Sequence, residues 1–483
     1  MKKTRRGGSS VKTNPESFSP ALRRSVGVVM IGASLSFLDT TIINVAVRTL
    51  SVDLHAGLGA VQWVMTAYLL ALAAVIPLTG WTARRYGAAR LYVAALTVFT
   101  VGSVMCACSH SVEMLVVSRA IQGIGGGAIM PVGTMIWTAQ SSKAQMGRVM
   151  GLIAIPIILA PTLGPTIGGL LIQYINWQAI FWLNIPFGVL GIGLALRLLP
   201  QDKEGSNAGR LDVAGLILSS TGVMGITYGL AAAGQTATAL VSLVIGVVAL
   251  AGFVAHALQA KQPLLDLKIY NNRLFTAAAV ATFALGAANY GGMILMPLYL
   301  QTVRGEGVIV AGLLVAPTGL GALLASPFID RYKAGITAFA GTVILAISTI
   351  PFVFLTATTP YTLLCLLMVV RGIGFGLSII PAMTAAYLAI APKKIADATP
   401  QLNILQRVGG AIGTTVLTVI LDDRLRHYAM PAVQADGFGN TFLWVLVITI
   451  SAAIPTLVLA YTERQARRRT DASKSKAASD RGH

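Results

Sequence analysis

Acidic residues are scarce in this chain: 17 Asp and Glu stand against 36 Lys and Arg in 483 residues, and the four types together make up only 11%. So little charge leaves no surface for a large soluble domain, and the longest non-apolar stretches are the tails and loops of roughly 15 to 25 residues. Three cysteines, Cys106, Cys108 and Cys365, all fall inside apolar runs. The first two are two apart and diverge on a helix, so no disulfide framework follows. The five histidines (His55, His110, His256, His427 and His483) show no ligand spacing, and no metal site is expected. Intramembrane catalysis lacks its parts as well: there is no His-Glu-x-x-His pair, no Ser/His or Asp/Asp constellation and no second deep carboxylate.

What is abundant is apolar. Hydrophobic residues make up 55% of the chain, and they cluster in runs of about 20 residues rather than at amphipathic spacing, which predicts an all-α integral membrane protein. Spans are expected near 25–47, 62–82, 91–108, 113–137, 148–172, 178–199, 212–232, 238–258, 274–300, 308–329, 335–357, 361–390, 401–421 and 439–461, fourteen helices in all. The stretch Met1 to Ala21 is polar and basic, and the long run that follows has no cleavage signal, so it reads as an uncleaved first helix.

The net charge of +19 raises the question of nucleic acid. The cations sit in alternate short loops and at both ends, the distribution that orients membrane helices. With the N-terminus inside, about 29 of the 36 Lys and Arg are cytoplasmic, and the outer loops hold Arg48, Arg304, Arg424 and Arg426. Nucleic acid is therefore not an expected partner; the lipid bilayer is, with affinity for anionic headgroups.

One carboxylate, Asp39, lies well inside the first apolar run, in Ser36-Phe37-Leu38-Asp39-Thr40-Thr41-Ile42-Ile43-Asn44. A charge at that depth costs about 2.5–3.5 kcal/mol even on lenient insertion scales and marks a functional site by default. Arg119, in the fourth run, is a second buried charge. At 1.5 Å per residue both lie roughly 10 Å deep, so they are able to pair. The pair reads either as a proton-coupling site or as a structural ion pair orienting two helices. Other acids, Asp53, Glu113, Asp212, Asp266, Glu306, Asp422 and Asp423, fall near span ends or in loops, whereas the interior adds Arg371 and Arg407. One carboxylate against three arginines suits neutral, zwitterionic or anionic lipophilic compounds, with monocations competing with a proton at Asp39.

An internal repeat organises the spans. Arg84-Arg85-Tyr86 returns as Asp330-Arg331-Tyr332 after 246 residues, Gly123-Ile124-Gly125 as Gly372-Ile373-Gly374 after 249, and Met130-Pro131 as Ile380-Pro381 after 250. The common shift equals eight spans. It predicts two six-helix bundles, 25–199 and 274–461, separated by two inserted helices within 200–273, with basic cytoplasmic tails at 1–24 and 462–483. Repeats of one orientation are the architecture of alternating-access carriers. The glycines at Gly123 to Gly127 follow no strand and lie mid-membrane, so no nucleotide site is read there.

Residues 25 to 461 resemble the fourteen-helix drug:proton antiporters of the major facilitator superfamily, the multidrug and quaternary-ammonium exporter branch. Leu38 to Ala46 is similar to the first-helix signature, Arg119-Ala120-Ile121-Gln122-Gly123 to motif B, and Gly164-Pro165-Thr166-Ile167-Gly168-Gly169 to the antiporter motif C. Trp177 to Gly188 resembles the sixth-helix entry, and Asn403, Arg407, Gly409, Gly410 and Gly413 sit as in the thirteenth helix. The resemblance implies a major facilitator fold and a proton-coupled exporter of amphipathic compounds, with Asp39 and Arg119 in proton coupling. Asn44, Gln122, Gly123, Gly164, Pro165, Gly168, Gly169, Arg371, Asn403 and Arg407 are the expected cavity and gating positions. In motif C, Pro156, Pro161 and Pro165 withdraw backbone donors while the glycines admit a close neighbour, a combination suited to gating or to packing alone. The stretch Gly80 to Gly87 departs from motif A: Arg84 stands where Asp is usual. The expected cytoplasmic latch is Arg85, Asp330 and Arg331, with Asp330 carrying more of it or the latch weakened. The expected partners are a small amphipathic substrate and protons. No cofactor is needed beyond the proton gradient. A monomer in a bacterial cytoplasmic membrane is expected, with both termini cytoplasmic and room for an accessory export protein. The alternatives are a same-fold carrier dedicated to one metabolite or lipid and, less in keeping with the residues, an intramembrane enzyme.

Overall fold

The computed structural model describes residues 18–142, 145–200, 209–233, 237–329, 333–426 and 431–479. The first part of the chain forms α1 (Pro20–Ile42), α2 (Val47–Asp53), α3 (Leu58–Val75), α4 (Thr79–Tyr86), α5 (Ala88–Ala107), α6 (Val112–Gln140), α7 (Met146–Tyr174) and α8 (Ala179–Leu198). Two helices follow, α9 (Val213–Ala231) and α10 (Ala237–Gln259). The last part forms α11 (Arg273–Thr302), α12 (Val308–Val315), α13 (Pro317–Ile329), α14 (Ala334–Thr349), α15 (Tyr361–Leu388), α16 (Ile395–Arg426) and α17 (Pro431–Ser479). Helices dominate because lipid offers no partner for backbone N–H and C=O groups, which must then pair within each segment. Helix starts are capped by side chains: Ser19, Ser111 and Asp212 each accept from the backbone N–H three residues on, and Asn272 accepts from Leu274 and Phe275.

Among the described residues, twelve helices are long and apolar enough to cross a membrane. Two of the fourteen expected positions fall outside that set: α7, and the tenth span. The latter is broken at Ala316 into α12 and α13, because Pro317 brings no N–H to continue the ladder, and its apolar helix runs only Ile309–Ala325.

The internal repeat is visible as packing. A Cβ on Gly123 would meet the backbone of Tyr68 in α3, and one on Gly372 the backbone of Thr318 in α13. Gly125 in the same way faces α5 at Phe99, and Gly374 faces α14 at Leu345. Each Gly-Ile-Gly thus sits between two neighbouring helices at backbone contact, in the same register in both halves. The two halves join at the end where α1 begins and α17 finishes, and α7 also packs against α12 and α13. One buried cluster at the terminal end unites Leu22, Trp137 and Met146 with Tyr387, Leu402 and Leu459. At the far end the buried residues form two clusters, one around Ile42, Leu115 and Phe181 and another around Tyr299, Phe438 and Phe442.

The inserted pair α9–α10 docks across the halves. Ser220 donates to the Ala74 carbonyl at 2.7 Å, Trp63 stacks on Tyr228 with centroids 5.7 Å apart, and Thr415 donates to the Leu230 carbonyl at 2.9 Å. Within the pair, a Cβ on Gly246 would lie 2.5 Å from the Ile226 amide nitrogen. Gly246→Leu is therefore expected to cost about 1–3 kcal/mol of stability and to lower the unfolding midpoint in detergent. Gly193→Ala, where a Cβ meets nothing within 4 Å, leaves it in place; equal midpoints for the two variants contradict the packing.

Candidate functional site

The site is built where α1 stops being a regular helix. Thr40 and Thr41 turn their hydroxyls back onto the carbonyls of Ser36 (2.7 Å) and of Phe37 and Leu38 (3.2 and 3.0 Å), a bonding pattern that bends helices. The chain then tightens into a 3-10 turn over Ile43–Val45. Thr41 also donates to the Ala160 carbonyl of α7 at 3.0 Å, and Gly164 and Gly168 pack directly onto Thr41, Ile42 and Val45. The glycines of motif C therefore hold α7 against the break in α1, one turn from Asp39. The side chains of Pro156, Pro161 and Pro165 lie outside the described residues.

Asp39 is fully buried, at 0% exposure. Its Oδ2 accepts from Arg119 Nη1 at 2.6 Å, and its Oδ1 accepts from Gln122 Nε2 at 2.9 Å and from Asn184 Nδ2 at 2.8 Å. Two of the donors are held in turn. Gln122 Nε2 also donates to Ser103 Oγ at 2.8 Å, and its Oε1 accepts from Arg119 Nη1 at 2.7 Å. Arg119, 1% exposed, sends Nε to the Val64 carbonyl at 3.3 Å and lies over the Tyr68 ring at 4.1 Å. Five helices, α1, α3, α5, α6 and α8, thus converge on one carboxylate. A buried ion pair of this kind survives only with such satisfaction, since desolvation otherwise exceeds the Coulombic gain. Asn184, Ser103 and Tyr68 are site residues that the sequence does not single out; an amide in the middle of the apolar run Phe181 to Phe187 is the one signal for Asn184.

Not every expected position joins this cluster. Asn44 is exposed in the 3-10 turn and makes no contact with Asp39, because the break in α1 turns it away. Gly123 serves the α3–α6 contact, and Gly169 faces Ile309 of α12 at 4.0 Å. Asn403 is partly buried and donates to the Thr399 carbonyl of its own helix at 2.9 Å. Arg407, also partly buried, lies within electrostatic reach of Tyr68 and Tyr290.

Arg371 belongs to a separate place inside the second half. It is 5% exposed, donates to Thr349 Oγ1 at 2.8 Å and lies against Gly292. By the repeat shift of 249–250 residues Arg371 stands for Gln122, and Asn289 for Asp39. The second half therefore has no carboxylate at the equivalent point, and both Arg371 Nη2 and Asn289 Oδ1 are buried with no hydrogen-bond partner.

At the terminal end Arg84 forms an ion pair with Asp397, joining α4 to α16 across the halves, while Gly80 sits against the Ala396 carbonyl. Arg84, which stands where motif A usually has an acid, thus supplies the cation of an ion pair between the halves. Asp330 and Arg331 lie outside the described residues, and Arg85 is exposed. Beside the latch Lys394 pairs with Asp266; burial raises that carboxyl, but Lys394 and the Lys268 amide outweigh it and hold it below the ordinary carboxylate value.

A model of the Major Facilitator Superfamily matches residues 29–414. The chain belongs to that superfamily. It is a multi-pass membrane transporter and not an enzyme. Among its relatives are the "Multidrug resistance protein B homolog" of Mycobacterium tuberculosis, 32% identical over 431 residues that cover 87% of this chain and 80% of that one. Another is the "Lincomycin resistance protein LmrB" of Listeria monocytogenes, 27% identical over 448 residues, covering 89% and 95%. Of solved structures, the human organic anion transporter MFSD10 shares the fold at TM-score 0.60 and 16% identity, over 89% of this chain and all of its own.

In this major facilitator chain, Arg119→Ala leaves the Asp39 carboxylate buried without its cation and is expected to cost about 3–5 kcal/mol of stability. Adding Asp39→Asn to that variant recovers most of the loss, read as unfolding midpoints of the purified proteins. Losses that simply add contradict the pairing.

Proposed function

We propose that this transporter is a proton-coupled antiporter that exports small amphipathic drugs or related lipophilic compounds by alternating access. The observation that carries the reading is Asp39: one deep carboxylate, held by Arg119, Gln122 and Asn184, on the helix that motif C packs against. Protonation removes the charge that Arg119 pairs with. The freed guanidinium keeps Gln122 Oε1 and the Val64 carbonyl as acceptors and presses on Tyr68, whose ring lies in the field of Arg407 from the other half. Changing one proton thus alters the charge within electrostatic reach of Arg407 in the other half. The drug-resistance names of the relatives support an amphipathic substrate.

The tails face the cytoplasm of a bacterium on this reading, as the positive loops favour, and the united cluster at the tail end then describes an outward-facing state. The working unit is a monomer. The energy source is the proton gradient, with no further cofactor: one charge moving through 100 mV releases about 2.3 kcal/mol, enough for a roughly fiftyfold gradient at about 1.4 kcal/mol per decade.

In proteoliposomes with an imposed pH gradient, wild-type protein is expected to accumulate dyes from a fluorescent drug panel. Asp39→Asn loses the dependence on the gradient while keeping downhill exchange. Gradient-driven accumulation at the wild-type rate in a well-folded Asp39→Asn sinks the proposal. Transport of one tight ligand and no dyes marks instead a carrier dedicated to a single metabolite or lipid.

A further inference from the structure

The terminal end holds a cavity of about 320 Å³ whose lining shares no residue with the Asp39 network. It lies where the three parts of the chain meet: α4 from the first half, α16 from the second, and the two segments flanking the inserted pair. Four cations line it, Arg84, Arg210, Lys261 and Lys268, against three carboxylates. All three carboxylates are engaged: Asp397 by Arg84, Asp266 by Lys394, and Asp212 by His256 at 2.8 Å together with the amides of Gly215 and Leu264. Arg210, Lys261 and Lys268 are exposed and make no side-chain hydrogen bond or close ion pair, although the charge of Lys268 acts on Asp266 beside that of Lys394. The cavity therefore presents donors and positive charge, and its acids are already taken.

We infer that this cavity binds a phosphate group, with Arg210, Lys261 and Lys268 supplying charge and hydrogen-bond donors. Phosphate is the matching chemistry because it carries several acceptor oxygens and accepts forked bonds from a guanidinium. The same chemistry comes from an anionic lipid headgroup or from a free phosphate, and the cavity sits at helix ends, where a bilayer surface passes. Arg84 ties the site to the latch. An anion in the cavity competes with Asp397 for the Arg84 guanidinium and so loosens the contact between the halves.

The purified full-length protein in neutral detergent is titrated with dioctanoylphosphatidylglycerol, inorganic phosphate and dioctanoylphosphatidylcholine, with binding followed by calorimetry. The phosphatidylglycerol is expected to saturate a site in the wild type. The triple variant Arg210→Gln, Lys261→Gln, Lys268→Gln loses about a hundredfold in affinity, since each surface cation contributes about 1 kcal/mol. Lys261→Arg with Lys268→Arg retains binding. Should the triple variant fail to fold, Lys261→Gln alone is expected to weaken binding about fivefold on the same basis. Asp397→Asn removes the competitor and tightens binding several-fold. Displacement of the lipid by inorganic phosphate identifies a soluble source, and its failure to displace identifies the headgroup. Equal binding of the phosphatidylcholine, or an affinity unchanged by loss of the cations, overturns the site. An affinity unchanged in Asp397→Asn overturns its link to Arg84.

Discussion

A carboxylate in the middle of a membrane has to be satisfied by the protein or not be charged at all, and the arrangement around Asp39 follows from that constraint. Lipid supplies no hydrogen bonds. Three donors from three side chains therefore close on two oxygens, and two of them, Arg119 and Gln122, are themselves held by further helices. The Arg119 guanidinium gains its acceptors in the same stroke, from Asp39, Gln122 and Val64. Neither ion is affordable without the other. Such a pair is a poor source of stability, but it is a sensitive switch, because adding one proton removes the partner of a buried cation.

The two halves share a backbone plan and differ in charge. Both use a Gly-Ile-Gly to bring one helix against two neighbours, yet the position of Asp39 is Asn289 in the second half and that of Gln122 is Arg371. The carboxylate thus belongs to the first half alone. Closure is also unequal. At the terminal end a continuous apolar cluster and the Arg84–Asp397 pair join the halves, whereas at the far end each half keeps its own cluster.

Much of this is legible in the sequence, for a physical reason: depth along a membrane helix is a one-dimensional quantity, and apolar run length reports it. Asp39 and Arg119 are found that way, and the repeated glycines reveal the duplication. Azimuth is not written in run length. Asn184 and Ser103 reach Asp39 only because α8 and α5 turn those faces inward. Asn44, five residues beyond Asp39, is lost from the site because the Thr40 and Thr41 hydroxyls and the following 3-10 turn rotate it outward. Arg371 has the right depth in the wrong half. Asp397 falls before the apolar run of its helix and reads as a loop residue, although α16 already begins at Ile395 and carries it to Arg84.

The central claim is that Asp39 takes up a proton within its buried network. Infrared difference spectroscopy of the reconstituted protein, stepped from alkaline to acidic buffer, tests it most directly. The account predicts a protonated-carboxyl band that appears on acidification, is absent from Asp39→Asn and is displaced when substrate is added. An Asp39 that stays ionised throughout, with the same difference spectrum in wild type and Asp39→Asn, contradicts it.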